Sequence, residues 1–136
     1  MIESSTLELI SNNFARRGVS LNSPASWSEL ASLDRFVGYK VDLPIKRLYL
    51  AFNGFRDMDF DLQSEIRFWP IGEILGSPSN LKEDQVMFAD FSLGSHLYMC
   101  NFRSNANPVI DREMDAEVAP SLMDFTRMVS EGSFDF

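Results

Sequence analysis

Residues 86–91 and 97–102 restrict the fold of this chain more than any other part of it. Both are rich in aromatic, β-branched and other apolar residues, the composition that fits a pleated and buried surface. Ser92-Leu93-Gly94-Ser95 lies between them as a hairpin connection. Strict alternation puts Val86 and Phe88 on one face of the first strand and Met87, Ala89 and Phe91 on the other. Both faces are therefore apolar, which predicts an interior strand covered on each side.

The cover comes from segments with a different period. Within residues 43–55, Ile45, Leu48, Tyr49 and Phe52 fall at i, i+3, i+4 and i+7, one apolar stripe of a helix. Pro44 suits the first turn, and Asn53-Gly54 is read as a left-handed cap that closes the helix. Burying those four side chains contributes roughly 6–12 kcal/mol before conformational entropy is set against it, at about 1.5–3 each. Two earlier helices open on capping boxes, Ser5 with Glu8 and Ser26 with Glu29. Their stripes are Leu7, Ile10 and Phe14, then Leu30, Leu33 and Val37, and Gly18 and Gly38 end them. A last helix starts at Pro120 and carries Leu122, Phe125, Thr126 and Val129.

Between these blocks, residues 66–69 read as a strand stopped by Pro70, and residues 71–75 as one helical turn. Val109-Ile110 is a short strand, and residues 111–117 form an acidic, solvated run. Helices at both chain ends with strands between them predict an α+β fold, with a central and mainly antiparallel sheet. At 136 residues, without repeat or linker, the chain is read as one domain.

Charge narrows the partners. With 20 acidic against 12 basic side chains, the formal charge of −8 repels a phosphate backbone, so a nucleic-acid partner is not expected. A basic protein is. Cys100 is the only cysteine, so no internal disulfide forms. No apolar run is long enough to span a bilayer. The opening residues have neither a basic region nor an apolar core, and the chain is read as cytoplasmic.

Chemistry-bearing patterns are few. Asp57-x-Asp59-x-Asp61 resembles the start of a calcium loop, but Leu62 stands where the sharp turn needs glycine and Phe68 where a bidentate glutamate belongs. A solvated acidic loop is the plainer reading. A third treats residues 55–65 as a patch for a basic protein: Asp57, Asp59, Asp61 and Glu65 as charges, Phe55 and Phe60 as apolar anchors. His96 and Cys100 are the only histidine and cysteine, too few for zinc. Four residues apart on a strand they lie about 13 Å from one another, beyond reach for a nucleophilic pair. Asp90 interrupts an apolar run and needs hydrogen-bond partners, which backbone N–H groups near the hairpin end would supply. Gly72 and Gly76 lack the spacing of a phosphate loop. No catalytic residue, metal or cofactor is assigned.

Several of these segments carry a family likeness. Leu43-Pro44, followed by Tyr49-Leu50-Ala51-Phe52-Asn53-Gly54-Phe55, resembles the helix of the SUKH superfamily, the Smi/Knr cell-wall-regulator family. Phe68-Trp69-Pro70-Ile71-Gly72-Glu73-Ile74 is similar to its next element. Met87-Phe88-Ala89-Asp90-Phe91 with His96-Leu97-Tyr98 resembles its hairpin, and Val118-Ala119-Pro120-Ser121-Leu122-Met123-Asp124-Phe125 its last helix. The likeness runs over residues 27–131, in order. It implies an α+β domain without enzymatic activity, many of whose bacterial members are immunity proteins that bind and neutralise a cognate toxin, often a nuclease. A regulatory or scaffold module without a toxin is the alternative, and an enzyme of unrecognised type a third reading. The family motifs are structural, so the resemblance carries no functional residue onto this chain.

Overall fold

A computed structural model describes residues 4–56, 66–77, 84–91 and 94–132. In chain order the elements are α1 (Ser4–Arg16), α2 (Trp27–Val37), α3 (Leu43–Ala51), β1 (Ile66–Phe68), α4 (Ile71–Leu75), β2 (Gln85–Phe91), β3 (His96–Asn101), β4 (Val109–Asp111), β5 (Ala116–Ala119) and α5 (Leu122–Glu131). The strands form an antiparallel sheet in the order β1-β2-β3-β4-β5. Helices stand at both ends of this order, so the α+β expectation holds.

Local signals explain where the helices start and stop. At α2 the capping box is complete: Glu29 N–H donates to Ser26 Oγ at 3.0 Å and Ser26 N–H to Glu29 Oε1 at 2.9 Å. Gly38 then takes the left-handed conformation that closes the helix. α1 begins at Ser4, ahead of the Ser5 capping position. Pro120 stays outside α5. The helix opens at Leu122 because Ser121 is the cap, its hydroxyl accepting the Asp124 N–H at 3.0 Å.

At the end of α3 the structure departs from expectation. Phe52 leaves the helix in extended geometry, and Asn53-Gly54 does not form the cap. The ring still turns inward, 3% exposed, so all four residues of the stripe are buried. Gly54 has a left-handed φ for another reason: a Cβ there would overlap the backbone of Trp69 and Pro70.

The sheet face turned toward α1 and α5 holds an aromatic core. Phe68 meets Phe14, Phe55, Phe88 and Phe125 at centroid separations of 6.0, 5.4, 6.1 and 5.7 Å, and Tyr98 stacks against Phe125 at 5.1 Å. Each such pair adds about 0.5–1.5 kcal/mol beyond area burial.

β2 is an interior strand, as its apolar faces require. The distribution of its side chains is not the alternation expected, because the register shifts between Met87 and Ala89. Val86 pairs with Cys100, Ala89 with Tyr98 and Phe91 with His96, all on one side of β3. The extra residue, Phe88, keeps Ala89 and Phe91 on the core face and leaves Met87 and Asp90 on the opposite one. Along that second face Leu97, Met99 and Ile110 are half-buried.

The acidic run at 111–117 is also structured differently. Asp111 ends β4 and is 5% exposed, Asp115 turns the chain with a left-handed φ of 50°, and β5 begins at Ala116. Asp111 Oδ1 accepts the N–H groups of Glu113 and Met114 at 3.0 and 3.2 Å, and Oδ2 meets His96 Nδ1 at 2.9 Å. The carboxylate is needed inside to hold the turn, which is why it is not solvated.

Candidate binding surface

Asn53, Trp69, Glu73 and Asp90, from three of the segments quoted for the family likeness, meet Glu29 and Arg67 in one largely buried polar node. Asn53 is its hinge. Its Oδ1 accepts the Ile71 N–H at 2.8 Å, filling the place of a side-chain cap that Pro70 cannot provide for α4. Its Nδ2 donates to Glu29 Oε2 at 3.0 Å, and so joins α2 to the same point. Asp90 is the second centre. It is 7% exposed and accepts the indole N–H of Trp69 at 2.8 Å and a guanidinium N–H of Arg67 at 3.1 Å. Its partners are thus side chains across the β1–β2 pair rather than backbone N–H groups of the hairpin end. Arg67 turns its other edge to Glu73, on α4, in a two-point contact. Those bonds from Glu73 raise the Arg67 guanidinium above its ordinary pKa, with burial opposing and Asp90 reinforcing the effect. The node locks β1, β2, α2 and α4 together, and each polar atom named in it has a partner.

An open cleft of about 410 Å³ borders this node, lined by Asn22, Phe55, Arg56, Arg67, Pro70 and Glu73. Its rim is pinned by main-chain bonds. Phe55 N–H donates to Phe68 O at 2.9 Å and Arg56 N–H to Ser20 O at 2.9 Å. Asn22 Nδ2 donates to the carbonyls of Asn53 and Phe55 at 2.9 and 3.1 Å.

Of the residues read as an interface, Phe55 is a correction. It is 2% exposed, bridged to Leu21 and packed on Phe14 at 4.9 Å, because its N–H is tied to β1 and the ring must follow into the core. It is not a surface anchor. Asp57, Asp59, Phe60, Asp61 and Glu65 lie outside the described residues. His96 pairs with Asp111 and not with Cys100, whose buried thiol is pushed up from its usual pKa by desolvation. Among the described residues no cluster of histidine, cysteine and carboxylates could hold a metal ion, and no helix is long and apolar enough to cross a membrane. From the sequence Asn53 is read as a helix cap and not as a hydrogen-bonding hub, and Arg67 and Glu73 are given no role as a pair. The one available signal was Glu73 six residues beyond Arg67, across a Pro-initiated turn. The chain matches no protein-family model and no curated protein.

Proposed function

We propose that this protein is a non-catalytic binding protein of immunity type, which neutralises a cognate bacterial toxin in the cytoplasm by covering it. The observation that carries the reading is the fate of the motif residues. Asn53, Gly54, Trp69, Pro70 and Asp90 are all consumed by the buried node, as a scaffold requires and as a reaction centre does not. Recognition is then left to the exterior. A chain of charge −8 attracts a basic partner such as a nuclease domain, and long-range attraction of this kind acts chiefly on the association rate.

Asp57, Asp59, Asp61 and Glu65, with Phe60 as the apolar contact, are the proposed contact residues. Calorimetry against a toxin domain encoded beside this gene tests the reading, and absence of binding to any such neighbour overturns it. Within a complex, replacing Asp57, Asp59 and Asp61 together by lysine is expected to slow association and weaken its salt dependence. An unchanged on-rate removes this segment from the interface.

A further inference from the structure

Among the described residues, one cation lining the open cleft beside the node has no hydrogen bond or ion pair. Arg67 and Arg56 both line it, but their situations differ. Arg67 is held between Glu73 and Asp90, so its charge is already met twice over. The Arg56 side chain is exposed and forms no hydrogen bond or ion pair among the described residues. This is notable in a chain where acidic side chains outnumber basic ones by 20 to 12. The main chain of Arg56 is nonetheless fixed by Ser20 O, and the carbonyls of Asn53 and Phe55 just before it by the two bonds of Asn22 Nδ2. A rigid wall with a free guanidinium is organised before anything binds, which reduces the ordering that binding requires.

We propose that this cleft is a slot for a single carboxylate of a protein partner, an aspartate or glutamate side chain seated on Arg56. The planar guanidinium fork matches a carboxylate at two points. Glu73, which also lines the cleft, selects against a doubly charged anion, because a phosphate dianion is repelled by that carboxylate more strongly than a single carboxylate is. The slot does not rest on the toxin reading; it applies to any partner offering one acid. On a basic partner it would fix register, since one acid of that partner must meet one arginine of this chain.

The experiment is a titration followed by 15N NMR, using N-acetyl-aspartate N-methylamide as probe. The uncharged asparagine analogue and inorganic phosphate are the comparisons. The aspartate probe is expected to give saturating shifts at Arg56 and at the Asn22 side-chain amide, whereas the asparagine analogue gives none. Arg56→Gln, at an exposed position, is expected to weaken binding roughly tenfold, the scale of losing a charge-assisted hydrogen bond. Arg47→Gln, on α3 and outside the cleft, is expected to leave it unchanged. The proposal is overturned by shifts that never saturate, by equal binding of the asparagine analogue, by tighter binding of phosphate, or by an Arg56→Gln protein that binds as the parent does. None of these outcomes bears on whether a toxin binds elsewhere.

Discussion

Replacing Asp90 by alanine tests whether the buried node holds the fold together. Two groups lose a partner. The Trp69 indole N–H, on a side chain 7% exposed, is left without an acceptor, which costs about 1–3 kcal/mol. Arg67 loses one of two carboxylates. Breaking a fully buried pair costs about 3–5 kcal/mol, but Arg67 keeps its contact with Glu73 and its side chain is 25% exposed. A share of about 1–2 kcal/mol is the defensible figure for a guanidinium still neutralised from one side. The sum is about 2–5 kcal/mol. Asp90→Asn should cost less, about 1–2 kcal/mol, since its amide oxygen can take the place of Oδ2, which accepts from both Trp69 and Arg67, and only the charge is lost. The assay is urea unfolding followed by tryptophan emission in a Trp27→Phe background. Trp27 is 71% exposed, so its removal leaves Trp69 as the only reporter. The expected result is a lower midpoint at unchanged slope, with native emission shifted to the red in Asp90→Ala. A loss below about 1 kcal/mol for alanine, or an asparagine variant as damaged as the alanine one, would refute the reasoning.

Gly54→Ala combines a left-handed backbone with overlap on Trp69 and Pro70, and should exceed Gly38→Ala by about 1–3 kcal/mol, since Gly38 shares the backbone strain with open space around it. Equal losses in thermal unfolding would show that the close approach does not form. Asp111→Ala should speed hydrogen exchange at the Glu113 and Met114 amides by roughly tenfold, and His96→Ala by less, because only Asp111 accepts from those amides. Alkaline pH should destabilise the fold, because burial raises the pKa of the Cys100 thiol and of the Tyr49 and Tyr98 phenols above their unfolded values. Their contribution is complete below the unfolded pKa values and is lost above them. Stability should fall by about 1.4 kcal/mol per pH unit beyond about pH 8.5 and about three times as steeply beyond about pH 10. Urea midpoints that stay flat to pH 10.5, or an early slope that Cys100→Ala does not reduce, would contradict this.

Features set by neighbours in sequence were readable, and features set by register were not. The Ser26–Glu29 box, the stripe from Ile45 to Phe52 and the two long strands depend on residues a few positions apart, and the structure has them all. The shift at Phe88 has no local signature. It moves Ala89 and Phe91 to the core face, and alternation alone cannot reveal it. Asp111 was misread for a related reason. In a run of charged residues nothing distinguishes the one carboxylate that clamps a turn from those facing water. The surface reading of Phe55 failed because an aromatic beside acids is equally consistent with a core residue next to a loop. Its bond to Phe68 decides between the two, over thirteen positions.

The node also explains how a very short helix keeps its place. α4 has five residues, too few to be stable as an isolated helix. It is held because Asn53 supplies the acceptor for Ile71 and Arg67 binds Glu73 from the neighbouring strand. Each contact is buried or half-buried, so substitution there is penalised whatever the outer surface does. Exposed residues such as Arg56 escape that constraint. If the proposed binding reading holds, a change of partner calls for new residues on the rim and leaves Asn53, Gly54, Trp69 and Asp90 in place.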